Sequence, residues 1–209
     1  MGPLAEPKRP QPKEDTGAEV AGLLAAASRG DEAAWRELIS RYGRRVFALA
    51  KSRCQRIDLA EEVTQSVFAT VAGKLGHGGY TEQGRFESWL FRVAMNRIRD
   101  EMRRIKRQAD PADPATMGGI AARPETDESA ESVTLGKLRA AMMELPDADR
   151  EIVELRHHGQ MSFKEMSELL DEPLGTLLAR HHRALKKLKD LMEADEPAGR
   201  NASGREGES

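Results

Sequence analysis

The chain has 209 residues, of which 33% are charged and only 4% aromatic, so any core must be aliphatic and thin, a balance that suits small helical units and not one large β-rich body. The formal net charge of −2 averages segments of opposite sign: Arg85–Arg107 holds eight Arg/Lys against three acids, Leu174–Leu191 five against one, and Ala109–Ser132 one Arg against six acids. Basic blocks separated by an acidic connector are the asymmetry of a nucleic-acid binder.

From the N-terminus, residues 1–17 carry four prolines among charges, too polar to offset the entropy of ordering, and are read as a disordered tail. A folded block is expected over 18–108. Asp31 suits an N-cap, and Trp35, Leu38, Ile39, Tyr42, Val46 and Leu49 follow at three- and four-residue steps, one apolar stripe on a long helix. Asp58 and Glu61 resemble a capping box opening a second helix, on which Val63, Val67, Val71 and Leu75 share a face. Gly76, Gly78, Gly79 and Gly84 then break the chain into a loop. Phe86, Leu90, Val93 and Met95 begin a third helix that turns basic after Asn96.

Residues 109–132 mix Pro, Gly, Asp, Glu and Ser and read as a flexible acidic linker. The second block is expected over 133–192, followed by a disordered tail over 193–209. A helix from about Val133 ends before Leu145-Pro146. Asp147 is placed to cap the next, whose apolar side is Ile152, Val153 and Leu155, and Gly159 ends it. Ser162-Phe163-Lys164-Glu165 has the S-x-x-E pattern of a capping box and opens a short helix. A turn at Asp171-Glu172 leads to Pro173, suited to the first turn of a last helix that runs to about Met192. Short helix, tight turn and longer basic helix make a helix-turn-helix, which places its second helix in a DNA major groove. The expected fold is all-α, two small helical domains on a flexible tether.

Four stretches together resemble one family. Gly30-Asp31-Glu32-Ala33-Ala34-Trp35 through Arg41-Tyr42, Ala60-Glu61-Glu62-Val63-Thr64-Gln65-Ser66-Val67-Phe68, Phe86 to Asp100 with its Trp89-Leu90 and Asn96, and Leu145-Pro146 through Gly175-Thr176 to Arg183-Ala184 are similar, in order and spacing, to the extracytoplasmic-function RNA polymerase sigma factors. The resemblance implies that Glu61, Glu62 and Gln65 dock on the clamp helices of the largest subunit of core polymerase. It implies that Asn96, Arg97, Arg99, Arg103 and Arg104 read and help melt the −10 promoter element. Arg suits phosphate through its forked guanidinium, and Asn suits a base edge. It implies −35 binding by Ser162, Lys164, Thr176, Arg180, Arg183 and Lys186, and an inhibitory anti-sigma partner. The family's polar or basic pair after G-T-V is replaced here by Leu178 and Ala179, which follow Leu177. Neither can hydrogen-bond a base, which leaves apolar contact with a thymine methyl. His181 and His182 give the same helix a pH-sensitive surface.

The blander readings of the same residues are a solvated acidic face for Glu61, Glu62 and Gln65, a featureless connector for Gly76–Arg85, and core packing for Trp89 and Leu90. A helix-turn-helix regulator without polymerase docking, or a sigma-like competitor with decayed −35 recognition, would share the second block. Neither catalysis, a cofactor nor a metal is expected. No catalytic or nucleotide-binding fingerprint is present, and the adjacent pairs His157/His158 and His181/His182 point about 100° apart on a helix, so neither pair chelates. Cys54 stands alone, which excludes an intramolecular disulfide. The lack of a membrane-length apolar run or a signal-like start points to the cytoplasm, without membrane insertion.

Overall fold

A computed structural model describes residues 17–108 and 130–194, with side chains of the second stretch from Val133 onward. Of the tails read over 1–17 and 193–209, residues 1–16 and 195–209 lie outside the described residues, as does most of the expected linker (109–129), while Gly17 opens one helix and Glu193 and Ala194 end another. All regular structure among the described residues is helical. The first block comprises α1 (Gly17–Ser28), α2 (Glu32–Cys54), α3 (Ile57–Gly76) and α4 (Phe86–Gln108), and the second α5 (Ala130–Met143), α6 (Asp147–His157), α7 (Phe163–Leu170) and α8 (Leu174–Ala194).

The apolar stripes fold as read. Leu38, Tyr42, Val46 and Leu49 of α2, Val63, Val67, Val71 and Leu75 of α3, and Phe86, Leu90, Met95 and Ile98 of α4 are buried together. Asp31 caps α2, its Oδ1 accepting from Ala33 N at 2.8 Å and Ala34 N at 3.0 Å, and so occupies two of the helix's orphan amides. Trp35 donates its indole N–H to the Ala27 carbonyl at 3.0 Å and fastens α1, a helix the apolar steps did not reveal. Ile39, read as part of the α2 stripe, stands 49% exposed, because at 3.6 residues per turn it falls at the edge of that stripe, about 100° round the helix from Leu38.

Two expected caps fall elsewhere. The α3 cap is Arg56, which has no side-chain cap bond, and Asp58 sits inside the first turn paired with Arg56. That bond holds the Asp58 carboxyl below the usual range. At α6, Pro146 occupies the cap and Asp147 is the first helical residue, where its charge still complements the positive end of the helix. Ser162 does form the expected reciprocal box: its N–H donates to Glu165 Oε2 at 2.6 Å and its Oγ accepts from Glu165 N at 3.2 Å. Asp171 takes a left-handed φ of 56° and turns α7 into α8, a conformation that short polar side chains tolerate.

The two blocks pack on each other, which the reading of independent domains on a tether did not anticipate. Ile152, Leu155, Met161, Met166, Leu169 and Leu177 of the second block belong to the same buried cluster as the core of α1–α4. A smaller cluster of Ala141, Leu145, Val153, Ala184 and Leu188 closes the second block internally. Arg45 donates through Nε to the Gly159 carbonyl at 2.8 Å, pairs with Glu87 and lies over the Phe91 ring at 4.9 Å. Arg53 pairs with Glu154, which is only 1% exposed. Ser88 donates to the Glu165 carbonyl at 3.3 Å. Arg92 reaches the Glu168 and Leu169 carbonyls at 2.9 and 3.0 Å, the negative end of α7, where a cation is favoured.

Candidate nucleic-acid interface

On α3, Val63 and Val67 turn into the core while Glu61, Glu62 and Gln65 are exposed. The three form a polar patch on the outside of the first block. Glu62 lies 3.7 Å from the Arg104 guanidinium of α4, so the acidic patch and the basic helix adjoin.

The basic half of α4 has Ile98 buried on one side and Asn96, Arg97, Arg99, Arg103 and Arg104 exposed on the others. Each arginine already has a polar partner. Arg97 donates to Thr70 Oγ1 at 3.0 Å, Arg99 to Glu151 Oε1 at 2.5 Å and to Asn96 Oδ1 at 3.4 Å, Arg103 to Asp100 at 3.4 Å, and Arg104 to Glu101 at 2.7 Å. Exposed pairs of this kind are worth little in water, about 0–1 kcal/mol, so a phosphate can displace the acid while the guanidinium is held extended. Trp89 is half-buried and Leu90 fully buried, which places Trp89 against Tyr80 at 4.3 Å between ring centres. The loop between α3 and α4 is thus anchored by an aromatic stack. Tyr80 also donates its hydroxyl to Glu82 at 2.8 Å, and burial together with Glu82 pushes its phenol up.

In the second block, Lys164 and Thr176 stand exposed near the starts of α7 and α8, and Arg183 and Lys186 are exposed further along α8. Ser162 is exposed, with its hydroxyl committed to the cap. Arg180 is different: it pairs with Glu172 at 2.9 Å, lies 3.9 Å from Asp149, and its side chain is only 22% exposed. Its guanidinium ties α8 to the turn before it. Leu177 is fully buried, whereas Leu178 is 42% exposed and Ala179 is exposed. The outward face of α8 therefore presents an apolar spot beside Thr176, His182 and Arg183.

The histidines pair across helices, and not along them. His157 of α6 and His181 of α8 bring their Nε2 atoms to 3.4 Å with ring centres 5.5 Å apart, one imidazole donating to the other. Burial, Arg156 and His182 hold His181 below the usual histidine range, and burial does the same for His158. Near neutral pH the first member of the expected pH-sensitive pair is uncharged. Among the described residues no three His, Cys, Asp or Glu side chains gather as a metal site, and no helix is long and apolar enough to cross a membrane.

Sequence reasoning missed Arg45, Arg53, Arg92, Glu151 and Glu154, which meet between the blocks. The α4 side of that junction includes Asn96 and Arg99, which line a crevice of about 280 Å³ with Arg92, Met95, Glu151, Leu169 and Leu170.

Comparison with known proteins places this arrangement. The Sigma-70 region 2 family matches residues 38–108, which hold α2 (from Leu38), α3 and α4, and the Sigma-70 region 4 family matches residues 135–188, from within α5 into α8. The ECF RNA polymerase sigma factor SigE of Mycolicibacterium smegmatis is 31% identical, over 83% of this chain and 68% of its own length. The ECF RNA polymerase sigma factor RpoE of Cereibacter sphaeroides is 30% identical, over 83% of this chain and 94% of its own. Among solved structures, CnrH in complex with the cytosolic domain of CnrY shares the fold at TM-score 0.63 and 24% identity, over 84% of this chain and 97% of that one. The sigma factor RpoE of Bartonella quintana, in complex with the anti-sigma factor NepR, does so at TM-score 0.58 and 21% identity, over 77% and 98%. Two region families in the right order, relatives matched along both blocks and a basic helix in each block make one case: the chain belongs to the extracytoplasmic-function family of RNA polymerase sigma factors.

Proposed function

We propose that this chain directs promoter-specific transcription initiation by binding core RNA polymerase and the −10 and −35 promoter elements, acting by binding and not by catalysis. The observation that carries the reading is the division of α3 and α4 into opposite faces. Their apolar residues close one core, while Glu61, Glu62 and Gln65 on α3 and the Asn96–Arg104 face of α4 stand outside it. An acidic docking patch beside a basic DNA-reading helix is what a polymerase subunit needs and what a free-standing helix-turn-helix regulator does not.

In this reading residues 18–108 form the core-binding and −10-binding domain, and 133–192 the −35-binding domain. Asn96 meets a base edge while Arg97, Arg99, Arg103 and Arg104 take phosphates or bases. On the second domain, the α7 start with Ser162 and Lys164 meets backbone phosphate. Thr176, Arg183 and Lys186 lie along the major groove, and Arg180 acts by fixing α8 against its turn. The two solved structures named above each hold a second protein, CnrY and the anti-sigma factor NepR, which supports control of this chain by an anti-sigma partner. It would work in the cytoplasm with polymerase and without a cofactor.

The test is a pull-down of purified core polymerase by wild-type chain and by Glu62→Lys combined with Gln65→Ala. Retention by wild type and loss by the double variant at equal helicity is the expected result. A wild-type chain that retains no polymerase overturns the assignment and leaves a polymerase-independent DNA-binding regulator.

A further inference from the structure

The second block brings two imidazoles together from different helices. His157 ends α6 and His181 lies within α8, and the packing of those helices decides where both stand. Val153 precedes His157 by one turn of α6, and Ala184 and Leu188 follow His181 by one and two turns of α8. Residues at such spacings share a helix face. Val153, Ala184 and Leu188 are buried in one cluster, so each histidine is carried on the side of its helix that turns toward the other. The Arg180 guanidinium, 3.9 Å from Asp149, ties the same two helices. None of these contacts involves the first block.

The geometry of the pair suits a metal ion better than a shared proton. The Nε2 atoms are 3.4 Å apart, longer than the about 2.7–3.2 Å of a good hydrogen bond from N–H to oxygen. Zinc takes imidazole nitrogen at about 2.0–2.1 Å in a tetrahedron, which sets two ligand nitrogens about 3.3–3.4 Å from each other. Ligands at right angles, as in a square-planar or octahedral site, would stand closer, at about 2.9 Å. The nitrogens are nearer to each other than the ring centres are, so the two Nε2 edges face one another. A tetrahedral ion holds the ring centres about 5.2 Å apart, against 5.5 Å here, a difference that a small tilt of either ring removes.

The surroundings leave the pair accessible. Phe163 lies nearly perpendicular to His181, with ring centres 5.2 Å apart, and limits the rotation of that imidazole. Arg156 covers Phe163 at 5.4 Å and donates to the Met161 carbonyl at 2.9 Å. Its charge opposes a second cation nearby and so keeps the affinity modest. His157 is exposed, and among the described residues no third His, Cys, Asp or Glu gathers with the pair. The other two positions of a tetrahedron therefore fall to water.

We propose that His157 and His181 form a zinc site that staples α8 to α6, with water in the two remaining positions. The ion takes part in no reaction. It binds the folded block and not the unfolded one, and by mass action it stabilises the pairing of the two helices. The staple falls between Leu178 and Arg183 on the helix assigned to the −35 element, but the site requires nothing of that assignment, and its test stands whether or not the chain reads promoters.

The experiment uses the full chain without a histidine tag, stripped with EDTA and then freed of it. Zinc alone is titrated in by calorimetry at neutral pH, and Tm is measured with and without excess zinc. Wild type is compared with His157→Gln, with His181→Gln, and with a control carrying both His158→Gln and His182→Gln. The chain has five histidines, so only His77, just past the end of α3, is left unchanged by the set. The expected result is one zinc ion per wild-type chain and a rise of a few degrees in Tm. Either single variant should bind at least about tenfold more weakly and lose the rise, while the control keeps both. Far-ultraviolet circular dichroism checks that all chains are equally helical, and His157→Gln, at an exposed position, decides the matter if His181→Gln unfolds. A wild type that takes up no zinc overturns the site. So does a His157→Gln chain that binds as wild type does, or a control that loses the ion as fully as the single variants.

Discussion

The docked arrangement should be sensitive to pH through one carboxyl. Glu154 is 1% exposed and faces Arg53, with Arg150 and Glu151 also near it and Asp147 at 3.9 Å from the Arg53 guanidinium. Burial outweighs the attraction of Arg53 and Arg150 and pushes the carboxyl from 4.5 up to about 7. When α6 leaves α2 this group gains water and falls back toward its ordinary value, so the docked form binds the proton more tightly. The sign follows: Glu154 contributes fully to docking below about 4.5, and that contribution is lost as pH rises through about 7. Each pH unit by which undocking lowers that value corresponds to about 1.4 kcal/mol, or tenfold in the docking equilibrium. The perturbation is a pH series from 5 to 8.5 on wild type and on Glu154→Gln, which keeps an oxygen toward Arg53 but cannot titrate. Scattering radius is the readout. The expected result is a wild-type chain that expands as pH rises through 7 and a Glu154→Gln chain whose radius stays flat there. The reasoning is refuted if both chains expand with the same midpoint and amplitude, or if wild type tightens as pH rises.

Three further outcomes are expected. Asp31→Ala removes the two bonds that cap α2 and should cost about 1 kcal/mol, read as a fall of a few degrees in Tm with promoter binding otherwise retained. Leu178 is 42% exposed on the outward face of α8, so replacing thymine by deoxyuridine across a bound −35 duplex should weaken binding by wild type, and Leu178→Ala should erase the difference; equal affinity for both duplexes would remove Leu178 from base recognition. Burial pushes the Cys54 thiol up to about 11, so the native chain should resist iodoacetamide at pH 8 and label rapidly once unfolded in urea, and fast native labelling would contradict the burial.

The sequence revealed each block and concealed their meeting, for a physical reason. Helices and their caps are local: the α3 stripe, the Asp31 cap and the Ser162–Glu165 box depend on residues within a turn or two, so spacing exposes them. Ion pairs between blocks join residues such as Arg53 and Glu154 or Arg45 and Gly159, a hundred or more positions apart. Before folding, Arg45 and Arg53 look like any solvated charge on a helix, and Glu154 like an acid on its outer face. One local sign did exist. Ile152, Val153 and Leu155 are three apolar residues in four, with the acidic Glu154 set among them. In the structure Val153 turns into the second block's own cluster while Ile152 and Leu155 turn into the cluster shared with the first. A short helix apolar on two sides must be covered on two sides: Val153 lies in the cluster of Ala141, Leu145, Ala184 and Leu188, while Ile152 and Leu155 share theirs with Met161, Met166, Leu169 and Leu177 of the same block as well as with the first block. Glu154 lies between those two apolar faces and is buried against Arg53 of α2. The apolar surface of α6 thus serves the second block's own core, and the trace of docking is the charged residue set within that apolar run: Glu154 is buried on the side of α6 that meets Arg53 of α2.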